Sequence, residues 1–262
     1  MRRFDLASLV AAAVLGSGSL ASAADLPRKA PVVAPVEAPF TWTGFYGGVQ
    51  GGYGWGTAKW SDLVAPAGTI SGDFTQHDTN GGFGGVLWGY DRQFGNWVIG
   101  FASDFNWGSI NGSSTCLGSE NDYQATCGTK ATFITTSTAR VGWAMGQFLP
   151  YVKGGWALEY LKLNVTNIGQ NGSGCCGPQP DYQTTKSWRS GWTAGGGLEY
   201  ALDRRWSVFV EYDYMNFGNN VTGFTPSDPF NGITTNFSAN INHTVSVVKG
   251  GVNLRWGDLL FR

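Results

Sequence analysis

Charge is scarce in this chain. Aspartate, glutamate, lysine and arginine make up 13% of its 262 residues, with 17 basic against 18 acidic side chains. That near-neutral balance offers no basic field for nucleic acid, and it is low for a soluble domain, where about a quarter of residues carry charge. Histidine and cysteine are sparse too, at 2 and 4. Neither His77 nor His243 lies near a cysteine in sequence, so the spacing is unlike a zinc site, and no cofactor is expected. Long apolar runs are also missing. Leu6 to Gly16 is the main one, shorter than the 18 or so residues of a spanning helix, and no later stretch is long enough.

Glycine and aromatics are what the chain has in plenty: 40 glycines, 16 phenylalanines, 12 tryptophans and 10 tyrosines. Met1-Arg2-Arg3, the apolar stretch and the small-residue site Ala21-Ser22-Ala23 read as a secretory signal over 1–23. Residues 24–39 carry Pro27, Pro31, Pro35 and Pro39, which favours an extended periplasmic lead-in near the cell wall. Residues 40–256 then alternate small or polar side chains with aromatic or aliphatic ones. A two-residue period gives one face of an antiparallel sheet to lipid and the other to an interior. With no helix available, a closed sheet is the remaining way to satisfy every backbone group in a bilayer.

The alternation predicts strands over 42–56, 82–91, 97–107, 132–144, 149–165, 189–201, 206–216 and 242–256. The lipid face collects residues such as Val49, Tyr53, Val86, Trp88, Ile99, Phe101, Val152 and Val210. Connections alternate between long polar segments and short turns around Gly95, Gly146 and Asp203. The fold class is therefore all-β, an eight-stranded antiparallel up-and-down transmembrane β-barrel. Short periplasmic turns and long extracellular loops place both termini in the periplasm of a cell with an outer membrane. Trp97, Trp143, Trp206 and Trp256 near the turns, with Trp55 and Trp107 near the loops, form two interface girdles.

Nine charged residues fall on the inward parity: Asp104, Arg140, Lys153, Glu159, Glu199, Glu211, Asp213, Lys249 and Arg255. Counted from the turns, Asp104 pairs with Arg140 and Asp213 with Lys249. An eight-stranded barrel is about wide enough inside for side chains alone, so these groups are expected to plug the lumen as an ion-pair network. A narrow pore for small ions or solutes is the alternative. Four cysteines in an oxidising compartment allow three pairings, of which a Cys116–Cys127 loop staple is preferred over bridges to Cys175 or Cys176.

An outer-membrane enzyme acting on lipid A needs a nucleophile oriented by a base. His243 has Ser246 nearby but on the opposite parity, and His77 lies in a loop, so no catalytic set is expected. A soluble lipocalin-like barrel would invert the two faces, which the interface aromatics and loop rhythm oppose.

The segments Asp25-Leu26-Pro27-Arg28-Lys29-Ala30-Pro31, Phe40 to Tyr46, Leu149 to Gly155, Gly191 to Tyr212 and His243 to Trp256 resemble the small outer-membrane surface-protein (porin-like) family of alphaproteobacteria, the RopB group. The resemblance implies an eight-stranded outer-membrane barrel with surface loops and a role in envelope integrity or as an antigen, and it brings no catalytic residues. It also implies that the closing strand is read by the outer-membrane assembly machinery. Residues 257–262 continue past that strand as a short extension, so either Trp256 or Phe261 is the terminal signal. The surrounding partners are outer-membrane lipids and lipopolysaccharide.

Overall fold

A computed structural model of the chain describes residues 40–65, 68–117, 123–170, 182–224 and 237–257. The expectations placed on 1–39, on Cys175 and Cys176, and on Phe261 lie outside the described residues. Eight strands run in chain order: β1 (Gly44–Ala65), β2 (Gly68–Phe94), β3 (Trp97–Leu117), β4 (Tyr123–Trp143), β5 (Phe148–Gln170), β6 (Tyr182–Ala201), β7 (Trp206–Phe224) and β8 (Phe237–Gly257). Each pairs antiparallel with its neighbours, and β8 returns to β1, so the sheet closes into a barrel. Closure leaves no unpaired edge.

One end of the barrel is held by tight turns. Gly95 and Gly146 adopt φ of 61° and 64°, the left-handed region where a β-carbon is penalised. At the third turn Asp203 Oδ1 accepts hydrogen bonds from the Arg205 and Trp206 backbone N–H groups, at 2.6 and 2.7 Å. These two donors hold the exposed carboxyl below its usual range. β1 begins and β8 ends at this same end.

At the other end the strands run further than the alternation predicts. Asp62, Asp73 and His77 belong to a hairpin in which β1 and β2 pair as far as Ala65 and Gly68, and Cys116 and Cys127 lie in β3 and β4 rather than in a loop. The physical reason is that the outward face changes character. A strand needs only about 9–11 residues to cross the bilayer, and beyond that height outward positions turn polar while backbone pairing continues. Cys127 is disulfide-bonded. The Cys116 side chain lies outside the described residues.

Outward and inward parities follow the alternation. Val49, Val152 and Val210 are exposed on the outer face, whereas Tyr46, Gln50 and Asp213 are buried inside. All six interface tryptophans named above point outward, between 41% and 55% exposed, and the Trp97 and Trp143 rings meet edge-to-face at 4.9 Å. Trp188 is also exposed, in a ring cluster with Phe133 and Tyr160.

The interior is layered rather than uniformly polar. Trp42, Val98, Ala144, Leu149, Tyr151 and Ala201 form an apolar base near the turns. Charged groups follow, and above them a second apolar cluster holds Ile110, Ile134, Leu161, Met215, Phe217 and Ile241 among others. Strands that rise past the lipid must bury something inside the barrel for their own stability, which explains this upper core.

Candidate functional site

All nine inward charged residues expected from parity are buried. They do not form one network. Nearest the turns, the Arg140 guanidinium pairs with Asp91 and with Glu199 at 3.1 Å, while Arg255 Nη2 reaches Asp91 and Glu199 at 3.0 Å each. Tyr46 lies between the two guanidinium groups, 4.5 Å from Arg140 and 5.0 Å from Arg255, so its ring faces two cations. Two carboxylates and two guanidiniums balance in this tier.

The next tier gathers Asp104, Glu211 and Asp213 around two ammonium groups. Lys153 Nζ sits 2.6 Å from Glu211 and 3.0 Å from Asp213; Lys249 Nζ sits 2.6 Å from Asp104 and 3.0 Å from both Glu211 and Asp213. Asp213 and Lys249 therefore meet, as counting from the turns suggests. Asp104 and Arg140 do not. In the β3–β4 register Asp104 faces Thr136, and Arg140 faces Gly100 much nearer the turns, so the two charges fall into different tiers. The three carboxylates lie close enough to hold a cation, with ligand atoms within 4.8 Å of one another. The lysine ammoniums already take that position.

Glu159 belongs to neither tier. It is buried in the upper core with its Oε2 2.8 Å from His243 Nδ1, and His243 Nε2 lies 3.3 Å from Thr79 Oγ1. Among the described residues, two further charged side chains, Asp91 and Arg189, are buried inward beside these nine. Asp91 shares inward parity with Gly89, on the strand whose outward set is Val86, Trp88 and Tyr90; Arg189 shares it with Gly191. Both were therefore readable from the pattern. Arg189 donates to the Ile241 carbonyl and to Thr222 Oγ1, each at 2.9 Å.

One device recurs in both tiers. Side chains two strands apart meet over an inward glycine on the strand between them. Arg140 reaches Asp91 across Gly100, Lys153 reaches Asp213 across Gly195, the Tyr151 hydroxyl donates to Glu211 across Gly197, and Gln50 donates to Asn106 across Gly85. The gap is needed. A β-carbon at Gly100 would come within 2.2 Å of Asp91 Oδ1, and one at Gly195 within 2.0 Å of Asp213 Oδ1. The outward Gly84 differs: a β-carbon there would meet only the Gln50 carbonyl, at 3.7 Å.

Glu159, His243 and Thr79 stand in acid–imidazole–hydroxyl order, but all three are fully buried in the upper core, out of a substrate's reach. His243 is buried inside, whereas Ser246 faces out, shares a hydrogen bond with the Tyr212 hydroxyl at 3.1 Å and lines an open outer cleft of about 420 Å³. The barrel wall separates them. His77 lies inward in β2 rather than in a loop, with Nδ1 3.3 Å from Ser114 Oγ and a buried Nε2 that meets no partner among the described residues. A hydroxyl–imidazole pair is present there without an acid to orient it.

The sequence profile of the family described as outer membrane protein beta-barrel domain matches residues 10–244. The chain is 31% identical over 167 residues to the 25 kDa outer-membrane immunogenic protein of Brucella abortus biovar 1, covering 63% of this chain and 68% of that protein. It is 35% identical over 151 residues to the 31 kDa outer-membrane immunogenic protein of Brucella melitensis biotype 1, covering 55% and 60%. Among solved structures, Neisserial surface protein A is similar at 14% identity with a TM-score of 0.37, covering 82% of this chain and 98% of that one.

Two measurements test the buried tiers. Gly100→Ala and Gly195→Ala should each lower the urea unfolding stability of the refolded barrel by about 1–3 kcal/mol, the usual cost of overpacking, while Gly84→Ala leaves it unchanged. Equal midpoints for all three would remove the role given to the inward glycines. Lys249→Met leaves three carboxylates facing Lys153 alone and should cost about 3–5 kcal/mol in the same assay.

Proposed function

The chain belongs to the outer membrane protein beta-barrel family, and on that premise we propose that it serves the bacterial envelope as a non-catalytic surface barrel whose lumen is closed by its own side chains. The observation that carries this reading is the pair of interlocked tiers. Salt bridges, hydrogen bonds and ring contacts join residues from all eight strands across the interior. Two spaces left between the described side chains are small. One, bordered by Tyr46, Arg140, Lys153 and Phe209, measures about 20 Å³, and another, bordered by Ile110, Ile134, Met215 and Val247, is of the same size. Such a volume holds roughly one water, since a single water needs about 10–15 Å³ of the same measure. A hydrated ion does not fit.

The apolar upper core supports the same reading, because an ion path would have to cross it as well. The non-catalytic part rests on Ser246 and His243 facing opposite sides of the wall, on the full burial of Glu159, His243 and Thr79, and on His77 Nε2 meeting no carboxylate among the described residues. In this reading the turn end, where β1 begins and β8 ends, faces the periplasm, and the extended strand ends carry the surface that the cell presents. The likeness to proteins named as immunogenic fits a chain displayed outside the cell.

Planar-bilayer recording of the purified, refolded chain tests the closed lumen. The expected trace shows no steps above background. Reproducible steps whose size changes in Arg140→Ala would establish the narrow pore instead.

A further inference from the structure

On the outer wall, two rows of side chains run level across four adjacent strands. The lower row is aromatic: Trp107 faces Phe133, Phe133 faces Tyr160 and Tyr160 faces Trp188, with ring centroids 5.5 Å apart for Trp107 and Phe133, 4.8 Å for Tyr160 and Trp188, and 6.0 Å for Phe133 and Trp188. The row directly above it is Asn111, Lys130, Lys162 and Lys186, in register across β3, β4, β5 and β6. A bulge in β4 between Ala131 and Phe133 brings Lys130 onto the outer face here.

Three like charges in direct register are an unusual choice for a sheet. Opposed residues on neighbouring strands hold their β-carbons about 5 Å apart, and like charges so placed repel. Nothing nearby offsets them. The row above holds Ser113, Gly128, Asn164 and Thr184, so neither flanking row carries a carboxylate, and no salt bridge to Lys130, Lys162 or Lys186 occurs among the described residues. Lys130 and Lys162 are half-buried and Lys186 is exposed. The adjoining strands differ: Thr57, Asp78, Asn80 and Thr244 carry no cation, and the next outward row there holds a single lysine, Lys59, between Gln76 and Asn242. Among the described residues, three lysines in direct register occur on β4, β5 and β6.

We infer that Lys130, Lys162 and Lys186 form a binding site for the phosphate on the headgroup of an outer-leaflet glycolipid. The aromatic row sets the height, because amphipathic rings settle at the boundary between hydrocarbon and headgroups. The lysines then stand in the headgroup layer, beside the acyl chains that cover the rings. A phosphate monoester carries close to two negative charges and several acceptor oxygens, which suits ammonium donors converging from three strands. Asn111, beside Lys130 in the row, adds an amide for a sugar hydroxyl. This inference rests on the proposed orientation, in which the extended strand ends face outward from the cell.

The test uses the refolded full chain in nanodiscs of zwitterionic phospholipid containing either bisphosphorylated lipid A or the same glycolipid stripped of phosphate, with retained glycolipid counted by native mass spectrometry. The native chain should prefer the phosphorylated form by roughly tenfold or more, the scale set by several lysines at an anionic surface. The Lys130→Gln/Lys162→Gln/Lys186→Gln variant should lose that preference, and the corresponding triple arginine variant should keep it. All three side chains face outward, and a retained heat-dependent gel shift shows that each variant is folded. A preference that survives in the glutamine variant, or equal retention of the two glycolipids by the native chain, overturns the site. Release by inorganic phosphate at matched concentration would make the ligand free phosphate and overturn the lipid assignment. Orientation is read separately, by labelling Asn111→Cys on intact cells with a membrane-impermeant maleimide against the native chain. Labelling supports the outward placement; its absence, with the phosphate preference intact, overturns the orientation and leaves the lysine row standing.

Discussion

Buried ion pairs that reach across a glycine set the geometry on which the rest of this barrel depends. A carboxylate or guanidinium in a closed interior is costly unless paired, so each inward charge fixes where its partner must stand. Arg140 and Asp91 sit on strands separated by β3, and only the missing side chain of Gly100 lets them meet. Lys153, Gly195 and Asp213 repeat the arrangement on β5, β6 and β7. A slip of one residue in any of these strands would turn the charge toward lipid and the aromatic face inward. The pairs therefore specify register even where a matched apolar core would be as stable.

That constraint divides the molecule by height. Near the turns the polar tiers tie all strands together above a small apolar base, and the outer wall there is the aromatic and aliphatic belt that meets lipid. Further up, the interior becomes apolar again around Leu161, Phe217 and Ile241, with Glu159 and His243 paired inside it. The outer wall at that level turns polar, and the three aligned lysines appear directly above the rings of Phe133, Tyr160 and Trp188. Inside and outside thus exchange polarity along the strand.

Much of this was legible in the alternation. Parity fixed which side of each strand faces out, because the lipid face demands an unbroken two-residue period, and the short connections around Gly95, Gly146 and Asp203 marked the tight-turn end. The far ends of the strands were not legible, since residues such as Asp73 and Thr126 sit in paired strands yet read as loop once lipid no longer imposes the pattern. The partners of Arg140 were misread for a different reason. Depth counted from the turns ignores the stagger between strands, and the register that places Arg140 opposite Gly100 is a property of the closed sheet. The lysine row is likewise invisible in the sequence, as Lys130, Lys162 and Lys186 lie far apart in it and are aligned only by pairing and by one bulge.

The most direct measurement is a double-mutant cycle on the pair that spans a glycine. Unfolding free energies in urea of the native chain, Asp91→Asn, Arg140→Gln and the double variant give the coupling between two residues that no hairpin joins. The account predicts a coupling of about 1–3 kcal/mol, the range for residues in one buried network. Additivity to within about 0.5 kcal/mol would mean that the two side chains do not hold β2 and β4 in place, and the central claim would fail.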